Sequence, residues 1–128
     1  MRKPVKRTNP ITNRVKSFVF AFRGIYIAGK SGVNIRIQLF IGLLVVIAGF
    51  VFEISKTEWL FATFAMGMVL SAEIFNTAIE KLVDLVSPDY NSEAGKIKDL
   101  AAGAVLLAAI CAAIIGLIIF IPKIVDQL

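Results

Sequence analysis

Residues 100–121, LAAGAVLLAAICAAIIGLIIFI, decide the fold class, because these 22 consecutive residues carry no charge. An α-helix rises 1.5 Å per residue, so the stretch would be about 33 Å long, enough to cross the roughly 30 Å hydrocarbon core of a bilayer. Residues 35–52 and 59–79 are two further apolar runs, with Arg36 and Gln38 at the start of the first and Glu73 inside the second. With 58% hydrophobic residues and a mean hydropathy of +0.82, the chain is predicted to be an all-α membrane protein with three transmembrane helices.

The chain before the first span is basic and divides into a tail and a helix. Residues 1–12 contain Pro4, Pro10 and four basic residues, which is typical of a loosely held tail. Over residues 13–29, Lys16 and Arg23 lie on a narrow basic stripe that Lys30 continues, and the rest of the predicted helix is largely aromatic and aliphatic. This pattern predicts an N-terminal amphipathic helix on the membrane surface. The 128 residues then form one domain, whose spans lie in helices at 35–52, 59–84 and 98–121.

Charge placement predicts the orientation of the chain in the membrane. Twelve of the 14 Lys and Arg residues lie in the N-terminal segment or in or beside the polar loop 87–99. Because cytoplasmic loops carry the excess of positive charge, we expect a multi-pass protein of the cytoplasmic (inner) membrane with a cytoplasmic N-terminus. Beside spans, a basic segment indicates membrane lipid headgroups rather than nucleic acid. One cysteine and no histidine exclude an internal disulfide and a zinc cluster.

Residues 24–31, GIYIAGKS, match the phosphate-binding pattern G-x-x-x-x-G-K-S/T letter for letter. That pattern requires a strand before it, a compliant loop and a helix after it. Here the four middle residues are bulky and apolar, and a span follows within a few residues. We therefore reject this interpretation and expect the glycines to mark a break between the surface helix and the first span.

The cytoplasmic end of the second span has a polar face. Four side chains fall within about 80° of one another on a helix: Glu73, Asn76, Glu80 and Asp84. A charged residue inside a span costs about 2.5–3.5 kcal/mol, so it usually faces protein or water and has a function. Glu73 lies deepest, whereas Asp84 is near enough to the headgroups for simple solvation to explain it.

A second polar group, Lys98 and Asp99, opens the third span. The ordinary interpretation is an interfacial anchor and a helix cap. A short loop, however, returns this pair to the membrane face on which Glu80 lies. A joint site of the two groups is therefore also possible.

The run E-I-F-N-T-A-I-E-x-x-x-D at 73–84, followed by K-D-x-A-x-x-A-V at 98–105, resembles the prokaryotic diacylglycerol kinase family, which includes undecaprenol kinases. The resemblance extends without gaps from about Lys16 to Pro122. It implies a domain-exchanged homotrimer whose active sites are shared between neighbours. It also implies that ATP with Mg²⁺ phosphorylates a lipid alcohol, diacylglycerol or undecaprenol, at the cytoplasmic face.

The resemblance assigns roles by position. Glu73 corresponds to the catalytic base and Glu80 to the metal ligand. Further ATP-binding positions are Asn76, Glu80, Asp89, Tyr90, Asn91, Lys98, Asp99, Arg14 and Phe20. Lipid-binding positions are Glu73, Trp59, Arg36 and Arg23. Phosphoryl transfer needs positioned reactants, charge neutralisation and a group that accepts the hydroxyl proton, and this set supplies all three.

The sequence departs from the family pattern at three positions. Gly32 stands where the family has an acidic residue that shares the metal with the Glu80 position. Asn13 aligns with a phosphate-binding arginine, with Arg14 next to it, and Phe20 replaces an aromatic residue that is tyrosine in some members.

Two alternative functions follow from the same residues. Gly32 is compatible with a catalytically impaired relative that acts as a binding or scaffold protein. A small channel or transporter subunit would instead line a pore with Glu73 and Glu80, although the chain lacks the pair of interrupted spans typical of transporters.

Overall fold

The computed structural model describes residues 9–128 and has four α-helices over them: α1 (Pro10–Ser31), α2 (Val33–Val51), α3 (Lys56–Val86) and α4 (Ser92–Val125). No strand occurs in this part of the chain, so the all-α prediction is confirmed. The first eight residues of the predicted tail lie outside the described residues. Three helices, α2, α3 and α4, are long and apolar enough to cross a membrane. The chain divides after Ser31 into two compact units, one containing α1 and the other α2 to α4.

Helix α1 starts at Pro10, three residues before the predicted helix, and runs through Gly24 and Gly29. The residues that match the phosphate-binding pattern are therefore helical. The expected break does not fall at these two glycines. It falls at Gly32, whose φ of −140° and ψ of 142° make it extended.

The turn between α2 and α3 is closed by a capping box. The Ser55 hydroxyl accepts a hydrogen bond from the Glu58 backbone N–H at 3.2 Å, and the Glu58 carboxylate accepts one from the Ser55 N–H at 2.7 Å. This reciprocal pair satisfies two backbone donors that a helix N-terminus otherwise leaves free. As a result α3 starts at Lys56 rather than at 59 as predicted.

The predicted polar loop 87–99 is mostly helix. The Asn91 side-chain oxygen accepts from the backbone N–H groups of Glu93 and Ala94, at 2.9 and 3.3 Å. Because this cap initiates a helix among polar residues, α4 begins at Ser92, six residues before the predicted start at 98. Only a short turn separates it from the end of α3 at Val86.

Within the second unit α3 is the central element, packing against α4 along much of its length and against α2 over a shorter stretch. Small buried residues are found on both partners of the longer contact: Ala62 and Ala65 on α3, Ala101 and Ala108 on α4. Small side chains let two helix backbones approach closely in a membrane. The interpretation of the third span's small residues as a packing face is consistent with this arrangement.

Candidate active site

The polar face of α3 changes from buried to exposed along the helix. Glu73 and Asn76 are only 4% and 6% exposed, and they are the two buried polar residues among those described. Glu80, two turns beyond Glu73 and one turn beyond Asn76, is half-buried, and Asp84 is exposed. The face predicted from the sequence thus runs from the interior of the second unit towards the turn before α4.

Glu73 has a polar partner that the sequence analysis did not assign. The side-chain amide nitrogen of Gln38, on α2, donates to Oε2 of Glu73 at 3.4 Å. Gln38 is half-buried and lies in the first candidate span. The available sequence signal was an amide near the start of a mostly apolar run that also contains Arg36, but nothing in the sequence indicated which helix Gln38 would face.

One turn along α3, the Asn76 amide nitrogen donates to Oε1 of Glu80 at 3.3 Å. The amide oxygens of both Asn76 and Gln38 are buried and have no hydrogen-bond partner in the described structure. Buried polar atoms are nearly always paired in folded proteins, and exceptions concentrate where a ligand, water or ion binds. Two unpaired oxygens beside Glu73 therefore mark this region as a candidate binding site.

An ion pair joins the ends of α3 and α4, since the Lys98 ammonium lies 2.5 Å from Oδ1 of Asp84. The side chains of Lys98 and Asp84 are 38% and 65% exposed, so water screens the pair. The structure thus brings Lys98 to the polar face of α3, as the joint-site interpretation requires. Asp99 is exposed on α4 next to Lys98.

An open cavity of about 230 Å³ lies at the turn between α3 and α4. Its lining includes Asp84, Asp89, Tyr90, Asn91 and Lys98, so the turn residues predicted to bind nucleotide lie beside the ion pair. The Tyr90 side chain is fully exposed. The Asn91 oxygen caps α4, which leaves its amide nitrogen as the group that could bind a ligand.

The remaining predicted residues lie elsewhere. Arg14, Phe20 and Arg23 are exposed on α1, in the other compact unit. Arg36 folds back along α2, where its Nε donates to the Gly32 carbonyl at 3.3 Å. Trp59 lies in the first turn of α3, about 21 Å along the helix from Glu73. The structure therefore does not place Trp59 near Glu73, and the assignment of Trp59 to lipid binding stays a prediction.

The acidic residues suit a metal that arrives with phosphate. Among the described residues, no three His, Cys, Asp or Glu side chains cluster closely enough to hold an ion alone. Magnesium is usually bound by one or two carboxylates together with substrate phosphates, and half-buried Glu80 fits that mode. A Cβ at Gly32 would have no atom within 4 Å, so the chain has room for a second acidic side chain there but does not supply one.

The sequence is similar to known lipid kinases along almost its whole length. A sequence model of the family "Prokaryotic diacylglycerol kinase" matches residues 19–120. The chain is 40% identical over 115 residues to the undecaprenol kinase of Bacillus subtilis, which covers 90% of this chain and 94% of that protein. It is 34% identical over 128 residues to the diacylglycerol kinase of Synechocystis sp., covering 98% and 73%. The diacylglycerol kinase of Escherichia coli is 27% identical over 107 residues, covering 84% and 88%.

The matched region contains the polar face of α3, the turn and the start of α4. The resemblance stated from the residues at 73–84 and 98–105 is therefore confirmed, and the protein is a lipid kinase that belongs to the prokaryotic diacylglycerol kinase family.

Proposed function

We propose that this protein transfers the γ-phosphate of ATP to the hydroxyl of a membrane lipid alcohol, at the cytoplasmic face of the cytoplasmic membrane. The observation that carries the proposal is the burial of Glu73, 4% exposed, inside a helix long enough to span the bilayer. A carboxylate is costly in that position unless it has a partner or a use. Here it has one amide partner at 3.4 Å and lies near two unpaired oxygens.

Glu73 acts as the general base in this proposal. The lipid hydroxyl oxygen forms a bond to the γ-phosphorus, the bond from that phosphorus to the ADP oxygen breaks, and the hydroxyl proton passes to the Glu73 carboxylate. Asn76 holds the Glu80 carboxylate through its amide nitrogen. Glu80 would hold Mg²⁺, which would neutralise charge on the phosphates.

Lys98 supplies a positive charge for the nucleotide at the exposed end of the site, beside the turn between α3 and α4. In the structure its ammonium is paired with Asp84. Phosphate oxygens carry more charge than one carboxylate, so we infer that ATP draws the ammonium away from this exposed pair. The turn residues Asp89, Tyr90 and Asn91 line the same small cavity as Lys98 and would contact the nucleotide there. Asp99, next to Lys98 on α4, is assigned to the nucleotide by the family pattern alone.

The acceptor is diacylglycerol or undecaprenol, the lipids named in the relatives described above. A cavity of about 750 Å³ lies among α2, α3 and α4, and almost all of its lining is apolar. This volume is within the range of ligand pockets, and the apolar walls suit a hydrocarbon chain. Gln38, one of the residues lining the cavity, also contacts Glu73, so a chain in the cavity would have its hydroxyl end near the base.

The active form is inferred to be a homotrimer in which a neighbour completes the site. In that assembly Arg14, Phe20, Arg23 and Arg36 would reach the nucleotide or the lipid headgroup, as the family pattern implies. The twelve Lys and Arg residues of the N-terminal segment and the second loop region would face the cytoplasm. A monomeric mass by light scattering, in a detergent that preserves activity, would contradict the trimer.

The test is transfer of labelled γ-phosphate from ATP to a panel of acceptors in mixed micelles, with Mg²⁺ or with a chelator. The panel contains diacylglycerol, undecaprenol and a short water-soluble alcohol. We expect Mg²⁺-dependent labelling of at least one of the two lipids. No transfer to any lipid by well-folded protein would favour the impaired relative instead, and ion flux in proteoliposomes would favour a channel.

A further inference from the structure

Among the described residues, Gln38 is the one polar side chain that hydrogen-bonds to Glu73, the proposed base, from another helix. Its amide nitrogen lies 3.4 Å from Oε2 of Glu73, across the contact between α2 and α3. The two residues are 35 positions apart in the sequence. Their contact therefore depends on how these two helices pack.

The chemistry of the pair fixes the orientation of the amide. An ionised carboxylate only accepts hydrogen bonds, so Gln38 has to present its nitrogen to Glu73 and direct its oxygen elsewhere. That oxygen is buried and has no partner in the described part of the chain. Leaving a buried acceptor unpaired costs free energy, so apolar packing alone does not account for glutamine at this position.

We propose that Gln38 is a positioning residue for the phosphoryl transfer, acting through Glu73; this rests on the function proposed above. The hydrogen bond to Oε2 restricts rotation of the carboxylate and leaves Oε1 to accept the hydroxyl proton. Gln38 also lines the apolar cavity, where it and Thr63 are the only lining residues with polar side chains. It thus lies at the boundary between the space for the hydrocarbon chain and the base.

Two apolar replacements test this role. Gln38→Met keeps an unbranched side chain of similar length, and Gln38→Leu removes the amide with a different shape. Both lose the donor, so kcat should fall about 10-fold to 100-fold, the effect of a small misplacement of a reacting group. The KM for ATP should change little, because no nucleotide contact is removed. Ser71→Ala, which deletes an exposed polar group on α3 two residues from Glu73, should leave kcat unchanged.

A double-mutant cycle separates positioning from a structural role. If Gln38 acts through the Glu73 carboxylate, Gln38→Met should cause no further loss in a Glu73→Gln background. If it only supports the fold, the same fold-loss should occur in both backgrounds. Equal losses, or wild-type kcat in the folded Gln38→Met protein, would overturn the assignment. Absence of transfer by the wild type would overturn the proposed function, and this assignment with it.

Discussion

The two ends of the second unit differ in how completely their polar groups are satisfied. At the α2–α3 turn, the capping box satisfies the helix start, and the half-buried side chains of Glu58 and Lys123 pair at 3.2 Å. At the other end, the hydrogen bonds of Gln38 and Asn76 are 3.3–3.4 Å long, and each amide leaves one buried oxygen unpaired. The polar groups at the α2–α3 turn are thus satisfied within the chain, whereas those around Glu73 keep acceptors that the proposed reactants could use.

Apolar packing follows the same division. Ile54, Ala62 and Ile119 form a buried cluster against Trp59 and Phe120 near the α2–α3 turn. The Phe52 and Phe120 rings add an edge contact with centroids 6.1 Å apart. The site end, around Glu73, contributes no member to this cluster. Incomplete satisfaction at functional sites, offset by good packing elsewhere, is a general feature of folded proteins.

Neutralising one carboxylate at each end should produce the largest difference between the two ends. Glu73→Gln should lower kcat by about 100-fold or more, because an amide cannot accept the hydroxyl proton. Glu53→Gln, an exposed residue at the α2–α3 turn, should leave the rate unchanged. Initial rates measured at equal folded protein decide the matter. A Glu73→Gln protein with near-wild-type turnover would remove Glu73 from the chemistry.

Two lysine–carboxylate pairs offer a matched comparison of the ends. Lys98→Met should raise the KM for ATP about tenfold or more, because a hydrogen bond to a charged group contributes about 1.5–3 kcal/mol. Lys123→Met should leave that KM unchanged and lower stability by about 1 kcal/mol or less. ATP titrations and thermal unfolding in one detergent measure both. Equal changes in KM would mean that the two pairs do not differ in function.

A substitution at Gly49 tests how tightly α2 and α3 pack near the turn that connects them. A Cβ there would lie 2.6 Å from the Trp59 ring, so Gly49→Ala should cost about 1–3 kcal/mol of unfolding free energy. At Gly103, on α4, a Cβ would meet no atom within 4 Å, and Gly103→Ala serves as the control. The kcat of the folded fraction should stay the same in both. If Gly49→Ala unfolds no more easily than the control, the tight contact with Trp59 is not a constraint.

The smallest expected effect concerns the metal. If Glu80 binds Mg²⁺ without a second carboxylate, Gly32→Glu should lower the Mg²⁺ concentration for half-maximal rate several-fold. Gly32→Gln adds similar bulk without charge, and the open space at this position accommodates either side chain. Titrating Mg²⁺ against initial rate compares the three proteins. Superimposable curves would mean that Gly32 does not mark a missing ligand and that another group, such as Asp84, serves instead.

The sequence predicted those features that depend on composition and on spacing within one helix. Length and hydropathy predict three spans, and helical periodicity places Asn76 within hydrogen-bonding reach of Glu80. Features that depend on local capping were predicted less well. The polar residues at 92–97 suggested a loop, whereas the Asn91 side chain caps a helix there.

Contacts between helices could not be predicted from one sequence. The pairing of Gln38 with Glu73 joins residues 35 positions apart, and no periodicity within either helix specifies it. The pairing of Lys98 with Asp84 was easier to anticipate, because a short turn connects their helices. The basic stripe of α1 predicts a surface helix, but composition does not determine where that helix lies relative to the site.

In the proposed mechanism the γ-phosphate passes from ATP to the lipid hydroxyl in one step, with Glu73 as the base. The most direct test of this step follows the label from γ-labelled ATP through a single turnover with lipid acceptor and Mg²⁺. If the lipid hydroxyl attacks ATP with Glu73 as base, label should pass to extractable lipid phosphate without a protein-bound stage, and Glu73→Gln should slow that step. Label that accumulated first on the protein, or that appeared only as inorganic phosphate, would contradict direct transfer to the lipid.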